Sequence, residues 1–316
     1  MQLELQVRPF AFDLIRPLRT AAGMIKLRRG WLLRLRADNG LVGWGEAAPL
    51  NPRHAKQNEQ ALRALPTRLT QHQLEGLLSE LPMPVAFAVG AALAELDGIE
   101  WLPAPESAQL LPAGEAMLEQ LELLVNQACL DRSLTVKWKV AVEADALERR
   151  WLDQLLEQLP STAQLRLDAN GGWNRDTAQA WMDALVGDPR FAWLEQPLPP
   201  EDRQGLENLS ERGPVALDES LELDPRLRDS WSGWQVRRPS QEGDPRPLLN
   251  QFHKGVPRRM VSTAFETGIG RRWLDHLAAL QMSGPTPAAP GLAPGWRPEG
   301  ALFSADPQQV WKAAAV

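Results

Sequence analysis

Lys137 and Lys139 stand two positions apart in LTVKWKVAV, inside an apolar, β-branched run. In a strand, successive side chains alternate faces, so both ammonium groups share one face and Trp138 takes the other. Two like charges on a buried face repel, and each is costly to desolvate. That environment brings a lysine toward a working base. The competing reading is an edge strand whose solvated lysines guard against aggregation. Three acids accompany the pair: Asp168 in LRLDAN, Glu195 in AWLEQP and Asp218 in ALDES, each directly after a short apolar run. Singly, each is explained by a helix cap or loop charge, and Asp218 before Glu219 and Ser220 by a helix start. In register at three successive strand ends they would repel one another unless a cation stood between them. A hard divalent ion with oxygen ligands meets that need, magnesium first and manganese second. An amine beside such an ion suits abstraction of a proton next to a carboxylate. The ion stabilises the charge that builds on the carboxylate oxygens, and Lys139 takes the proton.

Strand ends must bring these groups together. From about Gln109 the chain repeats a short apolar strand, a polar or acidic end and a helix: LTVKWKV then EADALERRWLDQLLEQL, AQLRLDAN then RDTAQAWMDALV, and so on to RRMVSTAF then GRRWLDHLAAL. Such alternation means parallel strands with helices outside. Seven or eight units without a dinucleotide-type glycine fingerprint favour a closed barrel, whose C-terminal strand ends form one face. Before the barrel, residues 1–50 alternate as β structure with a turn near Asn39 and Gly40. LRTAAGMIKLRRG within them reads as a mobile loop. Residues 54–102 carry a helical period broken near Pro82. The expected fold is therefore an α/β, TIM-type barrel over residues 106–289. An α+β domain over 1–105 precedes it, and a tail from about 290 to 316, with a last short strand at its start, packs back on that domain.

Composition narrows the class. The 316 residues are 44% hydrophobic with a net charge of −6, and no basic run suggests a nucleic-acid surface. Cys129 is the only cysteine, which excludes an intrachain disulfide and points to a cytoplasmic home. No apolar run has the length of a membrane span. The chain has 13 Trp and no Tyr, so no phenol can act as acid or base. The expected partner is a small carboxylate substrate, with no nucleic acid and no membrane. A monomer and a homo-oligomer are equally compatible with the sequence.

GWGEAAPL, PVAFAVGAALAEL, VKWKV, LRLDANGGW, WLEQPLP, ALDES and VSTAFETGIG together resemble the enolase superfamily, in its muconate-lactonizing subgroup, over nearly the whole chain. The resemblance implies a modified (β/α)7β barrel with an α+β capping domain. It implies Lys139 as base with Lys137 its partner, and Asp168, Glu195 and Asp218 as magnesium ligands. Arg166 and Asn170 would stand beside the ligands or on the substrate side. Ser262 and Thr263 would line a succinyl pocket, and the stretch from Thr20 to Arg28 would close over the substrate. The implied reaction is syn dehydration of 2-succinyl-6-hydroxy-2,4-cyclohexadiene-1-carboxylate for menaquinone or phylloquinone synthesis. The subgroup's alternative is racemisation or epimerisation of an N-acylamino acid or dipeptide. One departure separates the two. Arg238 stands before Pro239 where the family usually has lysine, and arginine does not act as a base. A two-base racemase needs a second proton carrier there; a one-base elimination can use a fixed cation. A register shifted by one would instead turn Arg237 inward. Glu266 reads either as an orienting group or as a helix-start acid, Gly268 and Gly270 as carboxylate-binding N–H positions or turn glycines. The four histidines read as surface or helix residues.

Overall fold

A computed structural model describes residues 1–20, 23–127 and 134–314. Cys129 lies outside the described residues. The chain forms two compact units, one of Met1–Pro105, Arg237–Pro257 and Val261–Val316, the other of Glu106–Val236 and Arg258–Met260.

The first unit contains an antiparallel sheet of β1 (Gln2–Thr20), β2 (Gly23–Ala37), β3 (Val42–Ala47) and β4 (Arg68–Thr70), ordered β3-β2-β1-β4. LRTAAGMIKLRRG, expected as a loop, is β structure where it is described; Ala21 and Ala22 lie outside the described residues. β1 and β2 pair from Leu3 opposite Ala37 out to Thr20 opposite Gly23, with one irregularity between Asp13 and Leu18. Cross-strand hydrogen bonds hold this polar stretch in register. The turn between β2 and β3 falls where expected, with Gly40 at φ +89°.

α1 (Ala55–Ala64), α2 (Gln71–Leu77) and α3 (Met83–Leu96) follow, with the break at Pro82 that caps α3. Apart from Met83 and Glu95, every residue of α3 is buried, and the helix is apolar over nearly all of its surface. Val85, Ala88, Val89, Ala92 and Leu93 pack into the sheet's core, while Phe87, Ala91 and Ala94 join Leu248, Phe252, Trp273 and Leu277. β3 approaches α3 so closely that a Cβ on Gly43 or Gly45 would fall 1.9 Å from the carbonyl of Ala92 or Ala88. Only glycine fits there.

The second sheet is parallel, with seven strands in the order β11-β10-β9-β8-β7-β6-β5. Its strands are β5 (Gln109–Leu111), β6 (Thr135–Lys139), β7 (Gln164–Asp168), β8 (Phe191–Glu195), β9 (Val215–Leu217), β10 (Trp234–Arg237) and β11 (Arg259–Val261). Helices separate the strands, among them α4 (Ala116–Gln127), α5 (Asp145–Gln158), α6 (Arg175–Leu185), α7 (Arg203–Ser210), α8 (Glu219–Leu223), α9 (Leu227–Ser230) and α10 (Arg246–His253). This is the modified (β/α)7β barrel. The expected last strand is a single bridge between Gly291 and Ser262. α11 (Gly268–Met282) and α12 (Pro307–Ala313) complete the described helices. Val136, Trp138, Leu165, Leu167, Leu194, Val215 and Leu217 face the helical layer and pack with Leu152, Leu155, Trp181 and Leu206. The alternate residues of these strands must face the opposite way. That inner face carries the chemistry.

Candidate active site

The register of β6, β7 and β8 sets Lys139 opposite Asp168, and Asp168 opposite Glu195. Glu195 in turn pairs with Ala216, and Asp218 follows directly after the end of β9, near enough for its charge to act on both Lys137 and Glu195. One row deeper, Lys137 pairs with Arg166 and Arg166 with Trp193. The two rows are layers of one barrel interior, not a solvated edge, and the edge-strand reading of the lysines falls.

Lys137 Nζ lies 2.7 Å from Asp168 Oδ2 and 2.5 Å from Glu195 Oε1. Burial acts to lower its pKa, but the charges of Asp168, Glu195 and Asp218 outweigh that and raise it. Lys137 is therefore a fixed cation. With two carboxylates at contact, it exerts less like-charge pressure on Lys139 than their spacing alone implied. Asp168 is held below the usual carboxylate range: burial opposes its ionisation, and Lys137, the Asn170 N–H and the charge of Lys139 overcome that. Glu195 moves the other way, because its complete burial exceeds what Lys137 returns. The same ammonium thus serves two acids unequally. Arg166 is buried with its guanidinium 4.1 Å from the centre of the Trp193 ring, which stacks on Trp234 at 4.5 Å. Burial draws its pKa down to about 9, against the charge of Glu195.

Among the described residues, no three acids or histidines are gathered as ligands about one point. The Lys137 ammonium bridges two of the candidates instead. The donor set still fits a hard cation. Its members are carboxylate oxygens, a single ammonium bridges two of them, and Glu195 Oε2 is buried without a hydrogen-bond partner. Asp218 occupies the position before α8, yet its side chain makes no capping bond there. A helix start does not account for it. Asn170, at φ +44°, gives its backbone N–H to Asp168 Oδ1 and its Nδ2 to Glu219 Oε1.

The remaining expected site residues belong to the first unit. Arg28 is buried, its Nη1 and Nη2 donating to the carbonyls of Pro49 and Ala48. The side chain of Thr20 lies outside the described residues. Arg237 is buried and paired with Glu242 at 2.5 Å, while half-buried Arg238 donates from Nη1 to the Thr263 carbonyl. Ser262 Oγ donates to Gly291 O, and Thr263 Oγ1 to Glu266 Oε2. Gly270 N–H is taken by Glu46 Oε2, and a Cβ on Gly268 would meet Ser304 O. The N–H of Gly270 is thus already engaged, and Gly268 is a position of close packing.

Three positioning residues carried no recognisable signal. Glu148, fully buried on α5, accepts the N–H groups of Ala141, Val142 and Glu143, the loop directly after Lys139. Gln196, at φ +38°, accepts from Asp218 N and Ser220 N and donates to Ser220 Oγ and Leu198 O. It ties the end of β9 to the end of β8. Glu46 accepts Thr267 N, Thr267 Oγ1 and Gly270 N, closing the start of α11. Glu46 and Gln196 lie inside quoted motifs, and that was the only available hint.

Comparison with known proteins bears on this geometry. An o-succinylbenzoate synthase of Thermosynechococcus vestitus is 36% identical over 286 residues, covering 86% of this chain and 87% of the relative. This chain belongs to the o-succinylbenzoate synthase family. A second member, from Photorhabdus laumondii, is 31% identical over 80% of this chain and 79% of its own length. The description "Enolase C-terminal domain-like" matches residues 116–228. The crystal structure of the o-succinylbenzoate synthase from Thermosynechococcus elongatus BP-1, with magnesium in its active site, superposes with a TM-score of 0.84. It is 31% identical and covers 98% of this chain and 99% of its own. An L-Ala-D/L-Glu epimerase from Bacillus subtilis, at 22% identity and TM-score 0.72 over 94% of this chain and 91% of its own, shares the fold. Among the described residues, no helix of this family member is long and apolar enough to cross a membrane.

Proposed function

We propose that this chain converts 2-succinyl-6-hydroxy-2,4-cyclohexadiene-1-carboxylate to 2-succinylbenzoate by syn dehydration, a step toward menaquinone or phylloquinone. The observation that carries the proposal is the lateral row of Lys139, Asp168 and Glu195, with Asp218 directly after the end of β9. Lys139 removes the α-proton, and the electron pair of the broken C–H bond spreads into the carboxylate and ring. The C–O bond at the neighbouring ring position then breaks, and Lys139 returns its proton to the departing hydroxyl, which leaves as water. Aromatisation drives that second step. Asp168, Glu195 and Asp218 would hold magnesium, with manganese the alternative, whose charge lowers the cost of a doubly negative carboxylate.

Lys137 stays protonated and offsets the repulsion between Asp168 and Glu195. Arg166, braced on Trp193, supplies a fixed positive charge, and Asn170 steadies Asp168. Arg238 remains a cation throughout the working pH range and stabilises the anionic intermediate without exchanging protons. That property favours one-base elimination over racemisation. Ser262 and Thr263 lie on the succinyl side, and the segment from Thr20 to Arg28 covers the substrate and excludes water. In this reading residues 1–105, with the tail from about 290 to 316, are the capping domain, and 106–289 are the catalytic barrel of a cytoplasmic enzyme.

An absorbance assay with the cyclohexadiene substrate tests the proposal. Turnover should require added magnesium, and Lys139→Ala should lower kcat by about 10²–10⁴-fold. Turnover without any divalent ion, or an active Lys139→Ala variant, overturns it.

A further inference from the structure

Arg238 has a support that its own position in the sequence does not reveal. Its Nη1 donates to the carbonyl of Thr263 at 2.6 Å. The other end of that same peptide group, the N–H of Ala264, donates to Glu266 Oε1 at 2.9 Å. Glu266 Oε2 also accepts the Thr263 hydroxyl at 2.6 Å, and that hydroxyl accepts the N–H of Phe265 at 2.8 Å. On the other side, Ser240 Oγ donates to Glu266 Oε1 at 2.5 Å, only two residues beyond Arg238. Glu266 is buried, and all of these partners are neutral donors. Gly270 makes room for it, since a Cβ there would fall 2.9 Å from Glu266 Cβ and Cγ.

We infer that Glu266 is a positioning residue for Arg238, acting through the Thr263–Ala264 peptide rather than as an acid or base. The carboxylate holds both the turn that carries the guanidinium and the peptide that receives it. A carboxylate accepting the N–H of a peptide polarises it, which strengthens its carbonyl as an acceptor for a cation. The tight turn at Phe265, with φ +64°, is the conformation that aligns the Thr263 hydroxyl and the Ala264 N–H on one carboxylate. The catalytic consequence rests on the proposed dehydration, in which Arg238 serves the anionic intermediate.

A double-mutant cycle tests the inference. Glu266→Gln sets an amide N–H₂ against donors and should lower kcat about tenfold or more with KM within about threefold. In an Arg238→Met background the same change should cost less than about twofold, because its route of action is gone. Ser240→Ala, a milder change, should show the same dependence on Arg238 and carries the cycle if Glu266→Gln fails to fold. Losses that simply multiply overturn the inference. A second readout needs no turnover. In protein labelled with ¹⁵N-arginine, wild type should give resolved, slowly exchanging Nη resonances from Arg238, identified by their loss in Arg238→Lys. They should collapse in Glu266→Gln and in Ser240→Ala; their persistence in both also overturns it. An inactive wild type that keeps those resonances counts against the dehydration alone.

Discussion

Two groups of buried carboxylates in this molecule are satisfied in opposite ways. On the inner face of the barrel, Asp168 and Glu195 share the Lys137 ammonium, and Glu195 keeps one oxygen without a partner. In the first unit, Glu46 and Glu266 are met by backbone N–H and hydroxyl donors. The first arrangement leaves a buried carboxylate oxygen short of a donor, which suits a cation. The second supplies donors enough for each carboxylate and fixes a loop or a helix start. Burial alone does not mark a reactive acid. What marks it is the shortfall of donors.

The largest effect should come from changing that shortfall. Glu195→Gln replaces the under-satisfied carboxylate with an amide and should reduce turnover by about 10²–10³-fold with little loss of stability, read by kinetics beside thermal melts. Comparable activity would erase the distinction between the two groups. Glu148→Gln turns an acceptor of three N–H groups into a mixed donor, costing about 1–3 kcal/mol and roughly tenfold in kcat by loosening the loop after Lys139. An unchanged denaturation midpoint would show that the loop holds itself.

Glu46 sharpens the comparison through pH. Burial raises its pKa from 4.5 to about 7, helped by the charge of Glu266 and opposed by the Thr267 and Gly270 donors. A raised acid binds its proton more tightly in the folded state. Its contribution is therefore full below about pH 4.5 and is lost as pH rises through about 7, about 3 kcal/mol in all. Denaturant titrations across that window should show a steeper fall in wild type than in Glu46→Gln, since the buried Glu95 and Glu195 add their own share in both proteins; equal slopes contradict it. The smallest effect belongs to His276, whose Nδ1 accepts the N–H of Leu102. Burial, then the nearby His253, lowers its pKa, so its contribution is present above about pH 6.5 and fades as pH falls below. His276→Gln should flatten that acid-side decline, and an unaltered decline assigns it elsewhere.

The strand-end chemistry was legible because a period of two decides the face of every residue in a strand. Once VKWKV, LRLD and WLE are strands, the common face of Lys139, Asp168 and Glu195 follows. The pairing of β1 with β2 was hidden because the sequence there is rich in arginine and broken by glycine, and each residue's pairing partner, such as Arg28 for Phe12, comes from another strand. β4, three residues inside a helical stretch, owes its existence to pairing with Gln2–Glu4. Glu46 lay inside a quoted motif, but its role could not be read, since its partner Thr267 lies 221 positions away. Arg238 was singled out as a departure, but the peptide and carboxylate that hold it are tertiary facts.

Manganese binding followed by electron paramagnetic resonance, with magnesium as competitor, confronts the central claim directly. Wild type should take up one ion per chain and release it to magnesium; Glu195→Gln should lose that binding and Glu46→Gln should keep it. A wild-type chain that binds none, or an equal loss in both variants, contradicts the account.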